Sequence, residues 1–267
     1  LTVQACYSVY LPLRGDESAA QLGACLQSLA DQSWQPARVV AVFRGVLPEA
    51  LDAVLAQSET QLPLVRAALA EGADWGSVLA AGVEQAEGEY AAHAEASSVS
   101  QPWRFERQVG FLAQNPQFDI CGARLFEADV NLQPKVRRAA PEKDTAILAM
   151  LPYRNPFNHA TVVLRRDKAL AAGNYGGPPL AEDYDLWLRM LAQGSGWNLQ
   201  DDLVLHDAIA PGLAAPRWPQ QVRSEYRLYR TKRRLRIAGM LSGPWVFLAR
   251  SLAHLVHALS RPRARRH

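Results

Sequence analysis

The sequence predicts an α/β protein: a mostly parallel sheet flanked by helices, with a helical extension at the C-terminus. Three observations carry this. Over residues 6–96, short apolar runs alternate with amphipathic segments of helical period, the pattern of strands joined by crossover helices. One carboxylate, Glu95, falls where the fourth apolar run ends, and such sheets bind ligands at the carboxyl ends of their strands. Charge is also divided unevenly. Residues 1–216 carry 16 Lys/Arg against 25 Asp/Glu, and residues 217–267 carry 13 against Glu225 alone. An acidic body thus leads into a basic extension suited to polyanions.

The elements follow in order. "CYSVYLPL" (6–13) is a first strand, closed by the turn-forming "RGDES". Residues 19–33 place Leu22, Cys25, Leu26 and Leu29 on one helical face. "ARVVAVFRG" (37–45) is a second strand and "LPEALDAVLAQS" (47–58) its helix. "LPLVRAAL" (62–69) is a third strand, "WGSVLAAGVEQA" (75–86) its helix, and "EYAAHAEA" (89–96) the fourth strand. A helix over 104–116 stops at Asn-Pro, a strand covers 118–129, and another lies within 154–170. Residues 180–194 read as a helix whose carboxylate-rich first turn suits the helix dipole.

Composition narrows the class. A chain of 267 residues, 49% hydrophobic and 21% charged, has the apolar content to bury a sizeable core. Cys6, Cys25 and Cys121 are odd in number and share no motif spacing, which argues against a disulfide framework or a zinc site and for a reducing compartment. "LTVQACYSVYLPL" lacks a basic leader and reads as a strand, not a signal peptide. The longest apolar stretch, 237–249, is too short to span a bilayer before Arg250.

"PWRFERQVGFLAQNPQFDICG", "RNPFNHATVVLRR" and "AEDYDLWLRML", in that order after the opening strand–helix–strand, resemble glycosyltransferase family 2. These are inverting enzymes of the Rossmann-like GT-A fold that build bacterial polysaccharides, and the resemblance covers roughly residues 6–206. It implies a nucleotide-sugar donor, a glycan or lipid-linked acceptor, and a role in surface polysaccharide or lipopolysaccharide assembly at the inner face of the bacterial membrane. Asp183 matches the catalytic base. Asn155, Asn158, His159, Glu182 and Trp187 fall on the acceptor side, and Pro12, Arg44, Glu95 and Ser97 on the donor side.

The donor side departs from the family. Its Asp-X-Asp motif, which holds Mg²⁺ or Mn²⁺ and the sugar nucleotide, stands here as Glu95-Ala96-Ser97. A hard cation binds through carboxylates and phosphate oxygens, so the resemblance implies the usual metal while the residues imply its loss. Phe43 and Arg44 occupy the place of a nucleotide-contacting Asp, and Gly72 and Ala80 stand where Asn is usual. An active, metal-independent transferase and an inactive pseudo-glycosyltransferase acting as a scaffold both fit this loss.

Each residue has a plainer reading. Glu95 is a ribose contact or a solvated loop acid. Arg44 pairs with a diphosphate or plugs a dead pocket. His159 is a packed histidine or an acceptor ligand. Asn155 and Asn158 shape a turn around Pro156-Phe157 or meet the acceptor. Trp187 is core or stacks on a sugar, and His206 is structural or a further metal ligand. Asp183 itself would otherwise be a helix-start carboxylate.

We expect the GT-A-like domain over 1–216 and a basic, amphipathic extension over 217–267. In the extension, "RTKRRLR" and "RPRARR" bracket Trp245, Phe247, Leu248, Leu252, Leu255 and Leu259. That composition suits peripheral binding of residues 230–266 to anionic lipid, or a helix packed on the body. No nucleic-acid reader motif accompanies the basic clusters.

Overall fold

The computed structural model describes residues 5–129, 133–207 and 218–237. Its first half is the expected alternation: β1 (Tyr7–Pro12), α1 (Ala19–Ala30), β2 (Arg38–Arg44), α2 (Glu49–Ser58), β3 (Leu64–Leu69), α3 (Trp75–Gln85) and β4 (Tyr90–His93). The strands pair in parallel with β1 between β2 and β4 and with β3 outside β2. Helix α3 starts where the Asp74 side chain accepts from the Ser77 amide at 2.7 Å, an N-cap written into "DWGS".

The second half adds β5 (Ser98–Ser100), α4 (Arg104–Gln114), β6 (Ile120–Ala128), β7 (Pro134–Arg138), α5 (Asp144–Met150), β8 (Val163–Arg165), α6 (Arg166–Ala171), α7 (Glu182–Met190), β9 (Gly196–Asp207) and α8 (Trp218–Arg234). The sheet runs β3-β2-β1-β4-β8-β6-β9-β5, with β7 on β6. Here β4–β8, β8–β6, β6–β7 and β5–β9 are antiparallel, and only β6–β9 is parallel. The parallel expectation therefore describes the first four strands, which crossover helices connect. The strand expected within 154–170 is confined to β8. His159 belongs instead to a 3₁₀ turn, His159–Thr161, in which the Thr161 hydroxyl donates to the Asn158 carbonyl at 2.8 Å. Such side-chain bonds compete with a strand ladder.

Strand β1 is buried on both faces. Val9 and Leu11 pack with Leu22, Leu26 and Leu29 of α1 and Phe105 and Leu112 of α4. Tyr10 points the other way, toward Leu79, Val83, Leu186, Trp187 and Leu188, as the strand period of two requires.

Helix α8, the first part of the basic extension, packs on the body. Leu228 is buried among the α7 residues, the Ser224 hydroxyl bonds the Pro179 carbonyl, and Lys232 Nζ lies 4.6 Å from the Tyr184 ring centre. The expected boundary at 216/217 and the apolar and basic segments over 238–267 lie outside the described residues. Among the described residues no helix is long and apolar enough to cross a membrane.

Gly82 lets α3 lie directly on β1: a Cβ there would meet Tyr10 Cβ at 2.7 Å and two Tyr10 ring carbons at 3.1 Å. Tyr10 is fully buried and its hydroxyl is hydrogen-bonded, so it has no room to yield. Gly82→Ala should destabilise the protein by about 1–3 kcal/mol, as overpacking does. Urea unfolding should show a lower midpoint with an unchanged slope.

Candidate active site

The site forms at the carboxyl ends of β1 and β4. His93 ends β4, and two residues on, along the same side of the extended chain, comes Glu95. The chain then turns, with the Ser98 amide donating to the Glu95 carbonyl at 2.9 Å, and enters β5. Pairing of β5 with β9 sets Ser98 opposite His206, and the Ser98 hydroxyl lies 2.9 Å from His206 Nδ1. The 3₁₀ turn brings in His159.

Glu95 therefore faces three imidazoles. Its Oε1 is 3.9 Å from Nδ1 of both His93 and His159, and its Oε2 is 3.4 Å from Nδ1 of His206. The His93 and His159 rings stack at 3.8 Å, only 12° from parallel. His93 is 1% exposed. Burial, and then the neighbouring His159, hold its pKa well below the ordinary histidine value, so the ring is neutral at pH 7. His159 Nε2 is 3.0 Å from the Tyr175 hydroxyl, which is 2.7 Å from the Tyr10 hydroxyl. Burial raises both phenols, Tyr175 far above its usual range, and keeps them protonated.

Behind the loop sits Arg104, fully buried. Its guanidinium donates to the His93 carbonyl (2.8 Å), Ser100 Oγ (3.0 Å) and Gln108 Oε1 (3.1 Å). Burial lowers its pKa to about 10, which still leaves it charged at neutral pH. Gln108 in turn donates to the carbonyls of Cys121 and Thr161 at 2.9 and 2.8 Å. Two adjacent turns of α4 thus tie β4, β5, β6 and the 3₁₀ turn together.

Two of the residues expected on the acceptor side are brought together. Asp183, half-buried in the first turn of α7, accepts on Oδ2 from Asn155 Nδ2 at 2.7 Å, and Asn155 Oδ1 accepts from the Phe157 amide at 3.1 Å. Glu182 is 8% exposed, and burial raises its pKa. After burial, the charges of Asp183 and Glu95 both add to the rise in the pKa values of Tyr10 and Tyr175.

The remaining expected site residues are placed as follows. Trp187 has no exposed surface and meets Phe157, His159 and Tyr175 edge to face at 5.9–6.1 Å. As placed it holds the His159 turn and offers no face to a sugar. Asn158 donates to the Ala123 and Arg138 carbonyls. Pro12 is buried at the end of β1. Arg44, at the end of β2, donates to the Ala73 carbonyl at 3.3 Å, and Ser97 is partly exposed with its carbonyl bonded to the Asp207 amide. Reading the sequence missed His93, Arg104, Tyr10 and Tyr175. Only His93, two residues before Glu95 on a strand, left a usable signal.

The cation that the family resemblance implies can be tested against these donors. Mg²⁺ and Mn²⁺ prefer oxygen ligands. This loop supplies one carboxylate and a hydroxyl, while His93, Glu95 and His159 bring ligand atoms within 4.8 Å of one another. A nitrogen-rich set of this kind suits a borderline ion such as Zn²⁺ better than a hard one. The residues do not fit the usual metal.

No family model matches the chain. Over 251 residues it is 32% identical to the amylovoran biosynthesis glycosyltransferase AmsE of Erwinia amylovora, with 94% of each chain covered. The chain belongs to the bacterial glycosyltransferases. It is also 28% identical over 200 residues, 74% of this chain and 72% of the relative, to a UDP-Gal:alpha-D-GlcNAc-diphosphoundecaprenol beta-1,3-galactosyltransferase of Escherichia coli. In fold it resembles the mannosyltransferase PcManGT of Pyrobaculum calidifontis, solved with GDP-Man and Mn²⁺. The TM-score is 0.64 at 14% identity, over 98% of this chain and 77% of that one. The GT-A architecture of this glycosyltransferase is thereby shown.

The neutral His93 makes the transferase sensitive to acid. Its pKa in the folded state lies below the unfolded value of about 6.5. Between the two, the unfolded chain binds more protons, so this contribution is complete above about pH 6.5 and is lost as pH falls toward the folded pKa. His93→Leu should flatten the decline in Tm below about pH 6.5. Thermal melts from pH 8 to 5 check this, and an equally steep decline in the variant would exclude His93 as its source.

Proposed function

We propose that this glycosyltransferase moves a sugar, with inversion, from a nucleoside-diphosphate donor to a glycan or lipid-linked acceptor during assembly of a bacterial surface polysaccharide. The observation that carries the reading is the 2.7 Å bond from Asn155 to Asp183 Oδ2. It orients the carboxylate, and Oδ1 has no other partner among the described residues. A carboxylate held through one oxygen and open at the other is placed to take a proton. The E. coli relative, named for a UDP-Gal donor and a diphosphoundecaprenol-linked acceptor, supports the substrate class. That acceptor, with the basic extension, supports a place at the inner face of the membrane.

In this mechanism the acceptor hydroxyl gives its proton to Asp183 Oδ1 as its oxygen bonds to the anomeric carbon. The bond from that carbon to the diphosphate breaks on the opposite face, which inverts the centre. Negative charge grows on the leaving diphosphate and requires compensation. The charge of Arg104 and the N–H groups of His159 and His206 supply it beside Glu95. We read the transfer as independent of a hard divalent ion at Glu95 and Ser97.

Asp183→Asn should lower kcat by about 10²–10⁴-fold, the usual share of a general base, while calorimetry shows donor affinity little changed. Turnover equal to wild type would remove Asp183 from the mechanism. Wild-type protein inactive with every nucleotide sugar tried would favour a binding subunit instead.

Titration with Mn²⁺ tests the donor side. Donor binding by the wild type should be the same with Mn²⁺ or EDTA, and Ser97→Asp should create Mn²⁺-dependent binding by restoring a second carboxylate. Strong Mn²⁺ dependence in the wild type would refute the metal-independent reading.

A further inference from the structure

Helix α8 and the loop before α7 enclose a groove of about 830 Å³, with Gly176 and Gly177 on one side and Arg227, Arg230, Arg233 and Arg234 on the other. We propose that it binds the phosphate or diphosphate group of the acceptor. The inference rests on the transferase reading and adds to it where the acceptor is held.

Four guanidinium groups line one concavity, and none is in an ion pair among the described residues. The acid that also lines it, Asp185, is already engaged: Oδ2 accepts from Arg189 Nε at 2.8 Å and Oδ1 from the hydroxyl of Thr231, another lining residue, at 2.9 Å. Glu225, the only acid of α8, is buried and outside the lining. Arg233 and Arg234, in the last turn, have an ordinary explanation in the negative end of the helix dipole. That effect fades within one turn and does not reach Arg227. Arg227, Arg230 and Arg234 recur three and four residues apart, so one face of α8 presents them together.

The lining from the loop before α7 and from α7 itself is Gly176, Gly177, Pro178 and Asp185. A Cβ at Gly176 would meet nothing within 4 Å, whereas one at Gly177 would strike Asp185 Cβ at 2.5 Å. The open space at Gly176, in a groove also lined by planar, permanently charged donors, suits an anion with several oxygens, and guanidinium groups match phosphate with paired hydrogen bonds. The volume falls within the range of small-molecule sites. Asp183 and Asp185 stand two residues apart, on nearly opposite sides of the start of α7. Asp185 lines the groove and Asp183 does not, so an acceptor with its phosphate in the groove would pass around the first turn of α7 to place its sugar hydroxyl at Asp183.

The test uses the full chain and the double variant Arg227→Gln/Arg230→Gln, which removes charge at exposed positions with good helix formers. Calorimetry with inorganic pyrophosphate, under saturating nucleoside diphosphate to fill the donor side, should show Kd weakened on the order of tenfold, as expected for losing charge-assisted bonds. With a prenyl-diphosphate-linked sugar as acceptor, KM should rise by a similar factor and donor affinity should hold. Unchanged pyrophosphate binding in the variant would overturn the proposal. So would a loss confined to phosphatidylglycerol vesicles, which would assign the arginines to lipid headgroups. Weakened pyrophosphate binding in a chain that turns over no acceptor would leave the groove standing as a phosphate site and refute the transferase reading.

Discussion

Arg104 carries its charge with no side-chain surface in water, and the geometry of the site follows from how that charge is satisfied. Transfer of an unbonded ion into a protein interior is prohibitive, so each N–H must find an acceptor. The nearest are the His93 carbonyl at the end of β4, Ser100 in β5 and Gln108 one turn along α4. Meeting them fixes where β4 ends and how the chain returns into β5. Glu95 lies on the loop between those two strands. Gln108 extends the same network to β6 and the 3₁₀ turn, which carries His159. A neutral side chain at position 104 would leave a buried carbonyl unpaired and the loop free to take other paths.

That dependence explains what the sequence made legible. The parallel half of the fold could be read because its strands stand out as continuous apolar runs, β1 and β2 being almost wholly buried, and because α1 places its leucines on one face. The later strands lack that signal. β5 is three residues long, β7 is exposed at every position, and β9 changes burial irregularly as its register against β6 shifts. The seven-residue α5 is too short to establish a period. On the acceptor side, Asn155 and Asp183 were legible through motifs 28 residues apart that meet in one hydrogen bond. The imidazoles around Glu95 were not. His93, His159 and His206 stand on three separate segments, and only the β5–β9 pairing and the 3₁₀ turn bring them together.

The donor loop has changed its chemistry and kept its form. In place of paired carboxylates it sets one carboxylate among three imidazoles, backed by a buried guanidinium. On the metal-independent proposal, positive charge comes from groups fixed in the chain in place of a removable ion. Such groups are already oriented before the substrate arrives, so they need no reorganisation as the diphosphate leaves. They are also weaker point charges than a divalent ion, so that proposal asks more of the acceptor side.

There the acid-rich first turn of α7 divides its labour by direction. Asp183 turns toward Asn155 and the tyrosine pair, with one oxygen oriented and the other open. Asp185 turns toward α8 and is engaged by Arg189 and Thr231, which leaves the arginines of that helix unneutralised. Because i and i+2 point to opposite sides of a helix, one short segment carries both the proposed base and an acid that lines the basic groove. The contacts of Leu228 and Thr231 hold α8 against α7. The first helix of the basic extension is thereby packed against the helix that carries Asp183.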